Sequence, residues 1–311
     1  MTVKKGLSMG LLVVAVIVAT GLLGWFSPRR PWSETSGWSR IPEALRPAEF
    51  TIEDEPWIRW LGHAGFVIRW HGVTLVLDPN RSERCTVSKR IMQLPPVLDQ
   101  LGPVHALISH AHFDHLNLDT LVAIPELESV LIPGPSEVFL DRLDPERTKI
   151  VPGQTGVVYQ IDSLRITPVR AAHNGNRFHP LRSTFPAVGY MIQSPRGTTL
   201  YVAGDTAFDN GWEELREQFH PDLAILPIGA YAPRFPLKDH HMNPEEAARA
   251  AMALGVKKVI PGHFGTFTLS FDRPDSALPR FARAAFDQGV AWTMPIFLTE
   301  ADVTNGVPRD A

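Results

Sequence analysis

Three histidines and one aspartate fall within six consecutive positions of the segment ISHAHFDHLN, which spans residues 108–117. They directly follow the apolar run VHALI, which predicts a buried strand whose end carries them on a loop. Alternate residues of an extended chain point the same way, and a turn brings the next side chains beneath them. Imidazole and carboxylate groups are the ligands of zinc and similar divalent metals. The segment therefore predicts a metal site built from His110, His112, Asp114 and His115.

The composition restricts both the ligand set and the class of protein. The 311 residues are 44% hydrophobic, which suffices for one large core or two small ones. Cys85 is the single cysteine, so no disulfide forms within the chain and a metal site must use His, Asp and Glu. The formal net charge is -3, and no block of like charge stands out. No nucleic-acid partner is therefore expected.

Hydrophobic periodicity predicts the elements that position these residues. Alternation broken by glycines predicts strands near 57–60, 65–70 and 73–77. Further strands are predicted at 104–109, 129–132, 157–160, 164–170, 187–193, 198–203, 222–226 and 257–260. Helices are predicted at 117–124, 135–142, 211–218, 244–253 and 275–288. Strand-rich stretches with helices at intervals predict an α/β or α+β layered domain.

The first fifty residues differ in character from the rest. Residues 7–26 carry no charge, and about 20 apolar residues are what a helix needs to cross a bilayer. We predict a single-pass membrane anchor over 1–26, with a cleaved signal segment as the alternative. The sequence predicts a linker or a wrapping arm over residues 27–50 and one folded domain over 51–311.

The charges that flank the apolar segment bear on its orientation. Lys4 and Lys5 favour a cytosolic N-terminus, whereas Arg29 and Arg30 favour the reverse. We expect a short cytosolic tail, which would place the domain at 51–311 on the periplasmic or extracytoplasmic side.

The histidine-rich segment resembles the metal-binding motif of the metallo-β-lactamase superfamily. In that superfamily a His, an Asp and a second His follow on later strand-end loops. VRAAHNG, LYVAGD and KKVIPGH supply His173, Asp205 and His263 in this order. The resemblance covers residues 57–298 and implies a four-layer αββα sandwich with two metals at one edge.

The resemblance also implies a role for each ligand. It assigns the first metal to His110, His112 and His173, the second to Asp114, His115 and His263, and the bridge to Asp205. Two zinc ions are expected, although iron and manganese also suit histidine and carboxylate ligands. A hydroxide shared by the two metals would act as the nucleophile.

Two further segments resemble the branch of N-acylphosphatidylethanolamine-hydrolysing phospholipase D. They are HHMNPEEA at 240–247 and GHFGTF at 262–267. The resemblance implies hydrolysis of a phosphodiester bond, with a glycerophospholipid as substrate and the membrane reached through residues 7–26. The loop after His173 departs from the tryptophan-rich equivalent of that branch, so a small-molecule substrate is also compatible with the sequence. The sequence does not determine the oligomeric state.

Three more residues are candidates for supporting roles. His241 could protonate a leaving group or reach a phosphate oxygen, or it could cap the helix that follows. His63 could orient a metal ligand through its free ring N–H, or it could be structural. Arg84 could receive a phosphate, or it could lie on a solvated basic loop.

Three alternative functions are compatible with the sequence. A metal-dependent lactonase, or another carbonyl hydrolase of the same fold, would use the same ligands. A nuclease would need a positive groove, which the sequence does not show. A non-catalytic metal-binding protein is disfavoured because the ligand set is intact.

Overall fold

The computed structural model describes residues 28–47, 49–180 and 184–304. Its strands are β1 Trp57–Gly62, β2 Gly65–Trp70, β3 Val73–Leu77, β4 Arg84–Cys85, β5 Ser88–Lys89, β6 Val104–Leu107, β7 Leu127–Pro133, β8 Lys149–Gly153, β9 Tyr159–Ile161, β10 Leu164–Asn174, β11 Pro186–Gln193, β12 Thr199–Val202, β13 Leu223–Pro227 and β14 Lys258–Gly262. The helices are α1 Trp32–Thr35, α2 Leu118–Val122, α3 Trp212–Phe219, α4 Arg234–Leu237, α5 Pro244–Leu254, α6 Ala277–Gln288 and α7 Glu300–Thr304, and the 3-10 helices are Trp38–Arg40, Glu43–Leu45 and Ser136–Phe139.

The strands form two six-stranded sheets and a short hairpin. The first sheet has the order β1-β2-β3-β6-β7-β8, and the second has the order β14-β13-β12-β11-β10-β9. Both sheets are mixed: β3, β6, β7 and β8 run parallel in the first, and β12, β13 and β14 run parallel in the second. The hairpin β4-β5 stands apart from both sheets.

Alternating side chains of the strands fill two cores. Phe66 and Ile68 of β2 face the core between the sheets, whereas Val67 faces a second core on the outer side of the first sheet. Leu121 of α2 covers that second core. Helices α3, α5 and α6 cover the outer face of the second sheet with residues such as Ala248. The layers are therefore helix, sheet, sheet and helix, as predicted.

The carboxyl ends of several strands lie at one edge of the sandwich. Strand β11 runs antiparallel to both β10 and β12, so β10 and β12 run in the same direction. Strand β14 also runs in this direction, because β12, β13 and β14 are parallel. The loops after β10, β12 and β14 therefore leave the second sheet at the same edge. The loop after β6 leaves the first sheet beside them, since Ser109 O accepts a hydrogen bond from Val188 N at 3.0 Å.

Helix α5 forms as its sequence predicts. Asn243 Oδ1 accepts from Glu246 N at 2.8 Å, and Glu246 Oε2 accepts from Asn243 N at 2.9 Å, which completes a capping box. Gly255 ends the helix with a left-handed φ of 68°.

Residues 28–47 wrap the second sheet's helices as an arm. Ile41 and Leu45 are buried in the main core, and the Trp38 ring meets the edge of Trp292 with centroids 6.5 Å apart. At Gly37, where φ is 78°, a Cβ would collide with the backbone oxygen of Asp275, so the arm approaches the start of α6 more closely than another residue would allow.

One helix prediction was wrong, and one strand of the first sheet was not predicted. The helix predicted over 135–142 is a 3-10 turn at Ser136–Phe139, because Leu140 and Leu143 both turn into the second core. Strand β8 was not predicted, since Pro152 interrupts its pattern. Proline is tolerated there because β8 is an edge strand.

The described ranges contain no helix that is both long and apolar enough to cross a membrane. The anchor predicted over 1–26 lies outside the residues that the structure describes.

Candidate metal centre

The loop after β6 folds back on itself and gathers its histidines. His112 O accepts hydrogen bonds from His115 N at 3.1 Å and Leu116 N at 2.8 Å, which closes a turn. The turn places the His115 ring against the ring of His110, with centroids 4.0 Å apart. Both rings are fully buried. The spacing H-x-H-x-D-H therefore converges on one region, as predicted.

The first group of ligand atoms consists of His110, His112 and His173, and we call it the three-histidine half. His112 Nδ1 lies 2.9 Å from His110 Nε2 and 3.2 Å from His173 Nε2. His173 reaches this point because the pairing of β10 with β11 is irregular between Arg170 and Asn174. Burial lowers the pKa of all three rings, so each is neutral and offers a lone pair.

The second group contains Asp114, His115 and His263, together with His63, and we call it the carboxylate half. Asp114 Oδ2 lies 2.8 Å from His63 Nε2, 3.5 Å from His115 Nε2 and 3.6 Å from His263 Nε2. Burial alone would raise the pKa of Asp114, but the neighbouring rings of His115 and His263 and the hydrogen bond from His63 hold it well below its usual value. Asp114 is therefore a carboxylate.

Asp205 lies between the two halves, in the loop after β12. Its Oδ1 is 3.1 Å from His263 Nε2, and its Oδ2 is 3.3 Å from His115 Nε2 and 3.8 Å from His173 Nε2. Gly204 has a φ of 60°, and a Cβ there would lie 2.7 Å from Ser109 Cβ, so the chain before Asp205 can press against the first sheet only as glycine.

Several atoms of the cluster make no hydrogen bond of acceptable geometry among the described residues, although His263 Nε2 and Asp205 Oδ1 are 3.1 Å apart. They are His115 Nε2, His241 Nδ1, His263 Nε2 and Asp205 Oδ1, and all are buried. Buried polar atoms are costly when unpaired, and a divalent cation ligated by imidazole and carboxylate removes that cost. Four overlapping groups bring ligand atoms within 4.8 Å of one another. The donor set therefore fits metal ions.

Charge differs sharply across the cluster. Burial alone would lower the pKa of His263, but Asp205 and Asp114 outweigh it and raise the pKa to about 9. Asp205, Asp114 and Asp78 likewise raise the pKa of His115 against the effect of burial. Cations and carboxylates thus compensate one another in the carboxylate half, whereas the three-histidine half is neutral.

His63 lies where a supporting residue would act. Its peptide N–H donates to Thr266 Oγ1 at 2.6 Å, and its carbonyl accepts from His263 N at 2.8 Å. Burial lowers the pKa of its ring to about 3. His63 and His263 both have left-handed backbone conformations, with φ values of 55° and 58°. Such conformations are uncommon for residues other than glycine and cluster at functional sites.

His241 lies at the mouth of the cluster, on the side of the three-histidine half. Its Nδ1 is 3.7 Å from Asp205 Oδ2, and burial lowers the pKa of the ring to about 4. Arg234 Nη1 donates to His241 O at 2.9 Å and Nη2 pairs with Glu246, so helices α4 and α5 fix this backbone. The side chain does not cap α5, because Asn243 does.

Arg84 does not join the cluster. It is exposed on β4, while the adjacent Cys85 is buried, and burial raises the pKa of that thiol well above its usual value. Cys85 is therefore an unreactive thiol.

The sequence analysis missed Asp78, which follows β3. Its Oδ2 lies 2.8 Å from His115 Nδ1 and 2.6 Å from Ser109 Oγ, and its Oδ1 accepts from Ser109 N at 2.7 Å. A carboxylate on the far nitrogen fixes the orientation and tautomer of a ligating imidazole. The sequence could have predicted a role for Asp78, because LVLDP places it directly after an apolar run. That run forms β3, which is parallel to β6.

Arg177 was also missed. Its guanidinium lies 4.0 Å from the centroid of the Phe113 ring, and Nη1 donates to Leu116 O at 3.2 Å. It thereby ties the loop after His173 to the loop that carries His110 through His115. Nothing in its sequence neighbourhood marks this contact.

The comparison with protein families decides the affiliation. The beta-lactamase superfamily domain matches residues 74–264, which is more than half of the chain. The chain belongs to the metallo-β-lactamase superfamily. The matched residues include His110, His112, Asp114, His115, His173, Asp205 and His263.

Several proteins similar to this chain are named as metal-dependent hydrolases. A UPF0173 metal-dependent hydrolase of Myxococcus xanthus is 33% identical over 70% of this chain and 74% of its own length. An uncharacterized protein of Mycobacterium tuberculosis is 32% identical over 77% of this chain, which spans 66% of that protein's length. A metallo hydrolase of the archaeon Ignicoccus hospitalis shares the fold, with a TM-score of 0.57, 22% identity and coverage of 78% of this chain and 94% of its own. The relatives of the UPF0173 family are named as metal-dependent hydrolases, and this chain is similar to them over 70% of its length.

Proposed function

We propose that this hydrolase cleaves a phosphodiester bond, and that its substrate is a glycerophospholipid. The observation that carries the metal-dependent part of the proposal is the position of Asp205 between the two halves, with Oδ1 3.1 Å from His263 Nε2 and Oδ2 3.8 Å from His173 Nε2. One carboxylate facing both halves suits a pair of ions rather than a single one. We therefore propose two divalent ions, with zinc favoured by the histidine-rich ligands.

Divalent ions, when bound, supply Lewis acidity and lower the pKa of water, and a pair clamps the entering and leaving oxygens of a phosphoryl displacement. In our proposal His110, His112 and His173 hold one ion, while Asp114, His115 and His263 hold the other. Asp78 keeps the His115 ring oriented through Nδ1 at 2.8 Å. His63 plays the same part for Asp114, at 2.8 Å.

His241 is the proposed partner of the leaving group. Its ring is neutral at physiological pH, because burial lowers its pKa to about 4. Its Nδ1 is buried and has no hydrogen-bond partner among the described residues. We propose that His241 donates an N–H to an oxygen of the substrate rather than acting as a preformed imidazolium.

The phospholipid part of the proposal comes from the resemblance of HHMNPEEA and GHFGTF to the phospholipase D-like branch. These two segments carry His241 and His263, which both face Asp205. The resemblance thus includes residues at the centre of the cluster. The same ligands would also serve a lactonase, since an activated water attacks carbonyl carbon as well as phosphorus.

A substrate panel tests this proposal. The full chain, loaded with zinc, is assayed on bis(p-nitrophenyl) phosphate, a lactone and a cephalosporin. A mixed phospholipid extract is analysed in parallel by lipid-resolved mass spectrometry, with Asp205→Ala as the inactive control. We expect phosphodiester cleavage and headgroup loss that the control lacks, whereas activity on the lactone alone would contradict the proposal.

A further inference from the structure

Four exposed phenylalanines occur on the loops that build the metal centre, and we call them the aromatic rim. Phe113 is 46% exposed, Phe178 90%, Phe235 65% and Phe271 53%. Phe113 lies between His112 and Asp114, Phe178 follows β10, Phe235 lies in α4 before His241, and Phe271 follows His263. Exposed aromatic side chains gathered at one edge mark an interaction surface.

Contacts between the loops show that the rim belongs to a single edge. The Arg177 guanidinium, next to Phe178 in sequence, lies 4.0 Å from the Phe113 ring centroid. Phe271 N donates to Ala232 O at 2.9 Å, three residues before Phe235. The loops of Phe178 and Phe235 meet where His173 Nδ1 lies 2.9 Å from His240 O. The four loops therefore surround the entrance to the cluster.

The described chain begins at this same edge. Arg30 N donates to Ile91 O at 2.8 Å, and Ile91 N donates to Thr266 O at 2.9 Å. Thr266 Oγ1 in turn accepts from His63 N at 2.6 Å, so residues 28–30 lie only a few bonds from the metal ligands. The uncharged sequence 7–26 ends two residues before Pro28. The uncharged sequence 7–26 therefore leads into the described chain at the edge that carries the aromatic rim.

We infer that the aromatic rim docks on a lipid bilayer and holds the entrance of the metal centre against it. The inference rests on the proposed phospholipid substrate, because docking on the bilayer would bring that substrate to the metal centre directly from the membrane. Separate aromatic side chains on several loops suit a bilayer, because each side chain can insert on its own at the boundary between the lipid headgroups and the acyl chains. A protein partner would instead require a contiguous, complementary apolar patch. The uncharged sequence 7–26, which precedes Pro28 in the chain, favours the bilayer over a second copy of this chain.

Site-specific fluorescence in membranes tests this docking. Phe178→Cys and Phe235→Cys variants of the full chain are labelled with a nitrobenzoxadiazole dye, while Cys85 is buried and resists labelling. Phe286→Cys is the matched control, because Phe286 is 59% exposed but lies on α6, away from the loops of the centre. Each labelled chain is reconstituted into vesicles of phosphatidylcholine and phosphatidylglycerol that contain doxyl-labelled lipid, and circular dichroism checks that it is folded.

We expect quenching at positions 178 and 235 to exceed that at position 286 by at least about twofold, since only the rim enters the acyl-chain boundary. Equal quenching at the three positions would overturn the inference. A dye response at position 178 that follows protein concentration and ignores lipid would also overturn it, in favour of contact between copies. Catalysis does not enter the readout, so a chain that cleaves only lactones yet shows rim quenching would refute the proposed function and support the docking.

Discussion

The two halves of the metal centre differ in charge although they share Asp205. The three-histidine half contains neutral rings alone, because burial lowers the pKa of His110, His112 and His173. The carboxylate half contains Asp114 and is supported by Asp78, and the pKa of His263 there is raised to about 9. An ion entering the first half meets lone pairs that are already available. An ion entering the second half must displace protons, so the two halves should respond differently to substitution and to pH.

The largest effect is expected from the residue that both halves share. Asp205→Asn preserves the shape of the side chain but removes the charge that faces His115 and His263. We expect both ions to bind weakly and activity to fall by more than about 100-fold, since loss of a ligand exceeds the effect of losing its support. Metal analysis by inductively coupled plasma mass spectrometry, together with turnover, measures this. Retention of two ions per chain would show that Asp205 does not bridge.

Substituting one half should leave the other occupied. His112→Ala removes the ring that lies within 3.2 Å of both His110 and His173. We expect the bound metal to fall from two ions to about one per chain, with activity reduced by roughly 10- to 100-fold. Titration of the chelated protein with zinc checks the stoichiometry. If His112→Ala loses both ions, the halves bind as one unit and the distinction between them fails.

Asp78 should affect the carboxylate half more than the other. Asp78→Asn leaves His115 Nδ1 without its carboxylate, so we expect a roughly 10- to 100-fold loss of metal affinity in that half. Asp54→Asn is the matched control, because Asp54 Oδ1 lies 2.8 Å from His71 Nε2 in a carboxylate–imidazole hydrogen bond outside the cluster. Competition with a chelator measures both affinities. Equal losses in the two variants would indicate a general effect of removing a carboxylate.

The dependence of metal binding on pH should also separate the halves. His263 has a raised pKa of about 9, so in the metal-free protein it carries a proton at pH 7.5 that an ion must displace. The folding contribution of that proton is present below pH about 6.5 and is lost as pH rises through 9. Affinity of the carboxylate half should therefore rise about tenfold per pH unit towards pH 9 for each proton released.

Calorimetry in buffers of different ionisation enthalpy counts the released protons. We expect His263→Gln to lower the count by about one, while His112→Ala leaves the release from the carboxylate half unchanged. Metal binding without any proton release would contradict the charge difference between the halves.

The smallest effect is expected at Arg177. Arg177→Lys keeps the charge but loses the planar contact with Phe113 and the bond to Leu116 O, so the histidine loop is held less firmly. About 1 kcal/mol of lost loop stabilisation corresponds to roughly fivefold weaker metal binding. Arg280→Lys is the control, because its guanidinium lies 4.6 Å from the Tyr231 ring centroid, outside the cluster. If Arg280→Lys weakened metal binding as much as Arg177→Lys does, Arg177 would have no special role in holding the histidine loop.

The sequence allowed the ligands to be predicted because each lies at the end of a strand. His110, Asp205 and His263 follow the apolar runs that form β6, β12 and β14, whereas His173 is the penultimate residue of β10, which extends beyond the predicted end at residue 170. The same rule would have found Asp78 after β3. Strand order and parallel direction, which place these ends at one edge, came from the family resemblance rather than from the residues.

Features that depend on tertiary contacts were beyond the sequence. The contact of Arg177 with Phe113 joins residues 64 positions apart, and no local pattern encodes the path of that loop. The segment 135–142 has a helical pattern, but the second core draws Leu140 and Leu143 inward and leaves only a 3-10 turn. Local propensity was overridden by packing in this case.

Two ions should occupy the two halves of the centre, with Asp205 between them. Anomalous diffraction from a crystal of the zinc-loaded protein, recorded on both sides of the zinc absorption edge, measures this directly. We expect two peaks about 3.5–4 Å apart, one beside His110, His112 and His173 and the other beside Asp114, His115 and His263. A single peak, or peaks that leave His173 or His263 unligated, would contradict this expectation.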